Sequence, residues 1–234
     1  MHATQVLQKI FRPVIARLDA RNARNPLFAV EALLIGRRLT LMELARHFPG
    51  VERVHAPLKR FDRLLGNHAV QAIRSCFYQA AMNWLIRSTQ PVLIIDWSEL
   101  KSDDHWHLLR ASASLDHLQA TRITRLYAKR MQIEQSFRDL KSHRYGCAFE
   151  DTLTRDPRRL EMLLLIHALA SLVAWLEGLT VVTATPATTT TTSGHAFHSI
   201  AWIGYERLRR QCARLSLPPT EATARLQQML AEAA

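Results

Sequence analysis

Tyr127, Arg130, Glu134 and Lys141 stand at offsets of 0, 3, 7 and 14 residues within LYAKRMQIEQSFRDLK, residues 126–141. At about 100° per residue those offsets put all four within roughly 60° of one another on one helix. A phenol, a guanidinium, a carboxylate and an ammonium on one stripe could ligate a metal ion and grip phosphate oxygens. Leu126, Ile133, Phe137 and Leu140 form a neighbouring apolar stripe. The spacing therefore predicts a helix docked on a core by one face, with the polar row at the rim of that core. A plainer reading stands beside it, because Arg130–Glu134 and Glu134–Arg138 are opposite-charge pairs at i,i+4 of the kind that decorate solvated helices.

The gaps Tyr-x2-Arg-x3-Glu-x6-Lys, set within RMQIEQSFRDLKSHRYG, resemble the signature of a family of bacterial insertion-sequence transposases of the DDE type. This is the "insertion sequence four" family, whose core has a ribonuclease H-like fold. The resemblance implies DNA transposition: binding of the element ends, then Mg²⁺- or Mn²⁺-dependent cleavage and strand transfer. In such two-metal nucleases, ions roughly 3.5–4 Å apart, held by three carboxylates, activate the attacking oxygen and stabilise the leaving one. It also assigns Glu134 as a catalytic metal ligand, with Tyr127, Arg130, Lys141 and, one turn beyond the acid, Arg138 on the DNA backbone.

A second carboxylate stands at the end of Pro91-Val92-Leu93-Ile94-Ile95-Asp96-Trp97-Ser98, a run of β-formers that reads as a buried strand delivering an acid at its C-terminal end. By itself, a lone Asp after a strand usually caps a turn. VLIIDWSEL resembles the family strand that carries the first acid of the triad, which makes Asp96 the other catalytic and metal-ligating residue. His105–Leu115 resembles the next strand, paired with the first across Leu100–Asp104.

The resemblance has a gap. Asp96 and Glu134 are separated by residues 97–133 alone. In the family this interval normally holds further strands, a helix, an added β domain and the second Asp. The junction near Ser114–Thr121 looks like an internal deletion. Asp103 and Asp104 fall at an expected hairpin tip, and Asp116 has no later strand to position it, so a three-carboxylate site is not expected to assemble. A two-stranded ribbon is itself marginal and has to lean on neighbouring helices.

The elements around this core read as helical. Residues 1–88 have breaks at Pro26, Pro49-Gly50 and Gly66. Thr40-Leu41-Met42-Glu43 is a capping box that opens a helix with Leu41, Leu44, Ala45 and Phe48 on one face. A second helix, roughly Pro57–Leu65, turns Leu58, Phe61, Leu64 and Leu65 inward and Lys59, Arg60 and Arg63 outward, and stops at Gly66-Asn67. Two short helices with a basic second one suit a DNA-binding unit, or equally a bundle with a solvated basic face. LTLMELARHF and KRFDRLLGN resemble the family's end-recognition region, and Arg37, Arg38, Lys59, Arg60 and Arg63 are the phosphate-contact candidates.

Asp156-Pro157 marks the entry to a long apolar helix, Leu160–Glu177. Its apolar segment Met162–Leu176 is too short for a bilayer span of roughly 20 residues and carries His167 and Ser171, so it reads as a buried helix with a hydrogen-bonded core histidine. Thr180–Gly194 reads as a threonine-rich linker. Two more helical stretches follow from Phe197, separated by Pro218-Pro219, with Arg207, Arg209, Arg210 and Arg214 adding charge. No internal repeat is evident.

Composition fits a DNA-acting protein. Among 234 residues, 48% are apolar, and 31 Lys and Arg against 20 Asp and Glu leave a net charge of +11, which favours a polyanionic partner. Cys76, Cys147 and Cys212 suggest neither a disulfide framework nor a zinc site. Met1–Leu18 lacks the apolar run of a signal peptide, and a cytoplasmic, nucleoid-associated location is expected. The expected fold is mostly α with a truncated α/β core: a helical DNA-end-binding domain over 1–88, a partial ribonuclease H-like core over 89–179, the linker over 180–194, and a helical segment over 195–234. The expected partners are double-stranded element ends, with a second copy or a full-length transposase in a dimer, and no membrane.

Overall fold

The computed structural model describes residues 1–50, 53–85, 119, 121–122, 131–144, 146–182, 200–216, 218, 221 and 224. The strands expected at Pro91–Ser98 and His105–Leu115 lie outside them. The described residues are mostly helical, and among them the only β pairing is an isolated antiparallel bridge between His2 and Arg214. In chain order the helices are α1 (Ala3–Ile10), α2 (Arg12–Ile15), α3 (Ala20–Gly36), α4 (Leu41–Arg46), α5 (His55–Leu65), α6 (His68–Ala72), α7 (Arg74–Leu85), α8 (Met131–Lys141), α9 (Pro157–Val182) and α10 (Ile200–Arg210). A 3-10 turn, Phe149–Thr152, precedes α9.

The N-terminal helices start and stop largely where their polar residues dictate. Asp19 caps α3 by accepting from the Arg21 and Asn22 N–H groups, and the Asn22 bond leads in holding its carboxyl below the usual range. Thr40 accepts from Glu43 N–H at the start of α4, Asn67 caps α6, and Gly66 ends α5. Pro26 does not break the chain as its type suggests, since it lies inside α3. An interior proline costs about 3 kcal/mol. Burial of Leu27, Val30, Leu33 and Leu34, each contributing about 1.5–3 kcal/mol, outweighs that cost. The helix expected to stop at Pro49-Gly50 already stops at Arg46, where His47 N–H and its ring both turn back to the Glu43 carbonyl.

The apolar helix is longer than its pattern suggests, running from Pro157 to Val182, so Thr180–Val182 belong to it rather than to a linker; residues 183–199 lie outside the described set. Its length and composition would suffice to cross a bilayer, and 67% of its most apolar window is buried inside the molecule. α9 packs on α3, α5, α1 and above all α10. Close approach to α10 depends on two glycines. A Cβ on Gly178 would sit 2.0 Å from the Ile200 carbonyl oxygen, and one on Gly204 would sit 1.7 Å from that of Ala174. The resulting antiparallel pair joins the N-terminal helices in one apolar core, from Phe11, Leu33 and Phe61 to Met162, Leu169 and Leu208.

Candidate functional site

The candidate site begins with α8. Glu134, Arg138 and Lys141 are all exposed, so this part of the polar row faces solvent as its spacing predicts. Tyr127, Arg130 and Asp96 lie outside the described residues, as do Asp103, Asp104 and Asp116. Of the apolar stripe, Leu140 is buried and Phe137 is 57% exposed, while Leu126 and the Ile133 side chain lie outside the described set; the described part of α8 touches the 3-10 turn at Phe149–Thr152.

That last turn is fixed by backbone. Cys147 N–H donates to the Asp139 carbonyl at 2.7 Å, and Leu39 N–H donates to the Cys147 carbonyl at 2.9 Å, which ties the end of α8 to the link between α3 and α4. Gly146 is required for the turn, since a Cβ there would lie 2.2 Å from the Asp139 carbonyl oxygen. Below it is a polar row running from buried Cys147 and Tyr205 to partly buried Ser171 and His167. The Cys147 thiol and the Tyr205 hydroxyl are hydrogen-bonded, Ser171 Oγ lies 3.4 Å from that hydroxyl, and His167 Nε2 is 3.3 Å from Ser171 Oγ. Burial pushes the thiol up to about 12, raises the phenol well above its ordinary value and lowers His167 to about 4. These groups stay neutral and pack; His167 is the hydrogen-bonded core histidine that its apolar context predicts. All three cysteines are free thiols.

The basic N-terminal unit divides into inward and outward cations. Arg37 ends α3 in the left-handed conformation at φ 57°, pairs with Glu206 of α10 and lies over the Trp202 ring. Arg60 points back into the unit rather than outward, donating to Asn25 Oδ1 at 2.8 Å with Phe28 and Phe48 5.3 and 5.2 Å away. Both guanidiniums hold helices together. Lys59 and Arg63 are exposed on α5, and Arg38 is half-buried. A binary inside/outside pattern cannot foresee the inward turn of Arg60, because an arginine's apolar stem and planar head can stack on rings that only the tertiary fold supplies.

Two features have little trace in the pattern. Glu177 is fully buried, accepting from Ser216 N–H at 2.8 Å and Ser216 Oγ at 2.5 Å, with Arg207 Nε at 3.0 Å. The first turn of α9 is tied outward by Arg159 to Asp62 of α5 at 2.6 Å and by Glu161 to Arg74 of α7. The doubled Arg158-Arg159 was the available signal for the second, since cations are unfavourable at a helix N-terminus unless something answers them.

A family model described as "Transposase DDE domain" matches residues 20–173. The chain belongs to that family. The match runs from α3 into α9, so both the basic unit and α8 fall within the transposase domain. No curated protein and no solved structure matches the chain. Transposases of this family act on DNA and use divalent metal ions. Among the described residues no three of His, Cys, Asp and Glu are grouped closely enough to hold such an ion, so those residues by themselves do not fit one.

Proposed function

We propose that this transposase is of the insertion-sequence kind with the Tyr127, Arg130, Glu134, Lys141 signature, that it binds the ends of its element, and that its DNA cleavage is impaired by an internal deletion. The observation that carries this reading is the shortness of the interval between Asp96 and Glu134, which leaves two of the three carboxylates that a two-ion site requires. Asp96 and Glu134 would be the remaining ligands of Mg²⁺ or Mn²⁺. Tyr127, Arg130, Arg138 and Lys141 would face the DNA backbone beside them. Lys59 and Arg63, exposed on α5, together with Arg38, are the retained phosphate contacts of the end-binding unit, and Arg37 and Arg60 serve it by holding its helices in place.

The retained basic unit supports a second reading, a non-enzymatic remnant that occupies element ends or joins a full-length transposase in a mixed dimer. Both readings place the protein in the bacterial cytoplasm on double-stranded DNA. They also keep the division proposed for the chain, with a truncated ribonuclease H-like core over 89–179 between the helical end-binding region 1–88 and the C-terminal segment 195–234. Cleavage of DNA carrying the flanking inverted repeats tests the deletion and end binding that both readings share, with Asp96→Asn and Glu134→Gln alongside the parent chain. No cleavage with intact, salt-resistant preference for the repeats is the expected result. Mg²⁺- or Mn²⁺-dependent cleavage lost in both variants would overturn the deletion argument, and equal affinity for repeats and random DNA at raised salt would overturn end binding.

A further inference from the structure

Arg158 is an exposed cation in the first turn of α9, and its guanidinium has no hydrogen bond or ion pair among the described residues. Its neighbours in that turn are both engaged: Arg159 with Asp62 of α5, and Glu161 with Arg74 of α7. At about 100° per residue Arg158 falls between those two positions on the helix, and it is exposed there. It is adjacent to Arg159, in a turn that the Arg159–Asp62 pair holds against α5. Asp156 caps the helix by accepting from Arg158 N–H at 2.8 Å, yet two arginines at the positive end of a 26-residue helix remain locally unfavourable. Arg159 is answered by Asp62, and Arg158 is not.

Asp62 lies on the exposed sector of α5 beside Lys59 and Arg63, and neither of these has an acid partner among the described residues; Arg63 Nε donates only to the Lys59 carbonyl at 3.2 Å. The single acid there is consumed by Arg159. We propose that Lys59 and Arg63 of α5 and Arg158 of α9 form one continuous cationic surface, fastened by the Asp62–Arg159 pair, that takes the phosphate backbone of duplex DNA. This rests on the DNA-binding reading above and extends it from the N-terminal unit to the helix after the signature. Three unopposed cations on two rigid, bonded helices match a regularly spaced polyanion, and positions on fixed elements lose little entropy when the partner docks.

The test is fluorescence anisotropy of the full chain with a short random-sequence duplex across a KCl series. Arg158→Gln is expected to reduce the slope of log affinity against log salt by about 0.9 and to weaken binding about fivefold near 0.15 M salt, with the melting temperature unchanged. Lys59→Gln/Arg63→Gln should reduce the slope by about twice as much. A parental slope in Arg158→Gln beside a reduced one in the α5 double variant would overturn the extension and leave the DNA-binding reading intact. No duplex binding by the parent chain would overturn both. Competition by polyglutamate as strong as that of duplex at equal charge would overturn the assignment to nucleic acid.

Discussion

Glu134 on α8 and Glu177 on α9 are both helical glutamates, and the molecule uses them in opposite ways. Glu177 is fully buried and met by Ser216 and Arg207, so its charge is spent inside the fold, fastening the segment after α10. Glu134 stands exposed on α8, whose last turn buries Leu140. A buried charge has to be satisfied by its own protein, because desolvation costs several kcal/mol that only close partners offset. An exposed carboxylate stays largely solvated, so its charge makes no comparable demand on the fold. The contrast is between a charge that the fold has to answer itself and one that solvent screens.

The sharpest way to break that contrast is to truncate both. Glu177→Ala should destabilise the protein toward the lower end of about 3–5 kcal/mol, since Arg207 is partly solvated and is not left wholly stranded. Urea denaturation would measure it, and a loss under about 1 kcal/mol would mean that the clamp is dispensable. His167, one face round the same helix, should make stability depend on pH. The folded protein keeps it neutral down to about 4, whereas the unfolded chain takes up a proton near the ordinary value of 6.5. Its contribution is therefore complete above pH 6.5 and is lost as pH falls from 6.5 to about 4, by roughly 3 kcal/mol. Comparing denaturation midpoints of the parent and His167→Leu at pH 7 and 4.5 isolates the effect; equal losses in both would refute it.

The same contrast recurs in α5 on a smaller scale. Arg60→Ala removes a bond to buried Asn25 and contacts with two rings and should cost about 2 kcal/mol of stability, read by thermal melting. Arg63→Ala should stay within about 0.5 kcal/mol and act on DNA affinity instead. The smallest stability effect belongs to Glu134→Gln, also within about 0.5 kcal/mol. A drop of several kcal/mol there would show that Glu134 is a structural acid after all and would remove the basis of the comparison.

Local rules read well wherever one element decides its own shape. Thr40, Gly66 and Asn67 punctuate their helices, and Glu134, Arg138 and Lys141 line up on the exposed side of theirs, because capping and the 3.6-residue repeat depend only on neighbours along the chain. Those rules failed where distant residues intervene. By residue type Pro26 is a break, yet it is absorbed into α3 by the core beneath it; by spacing Phe137 belongs to a docking face, yet it is 57% exposed. The cationic row over residues 57–65 was legible as a row, but the inward turn of Arg60 was not.

The sequence by itself determined the family through the spacing of one helix, the charge that calls for a polyanion, and the short interval between Asp96 and Glu134, because these are properties of residue order. Only the tertiary structure decided which charges the protein keeps for itself. Arg37, Arg60 and Glu177 are consumed by partners 169, 35 and 39 residues away in the chain, while Lys59, Arg63 and Arg158 are left facing outward. No local pattern encodes that division, since whether a charge is answered depends on which groups folding brings beside it.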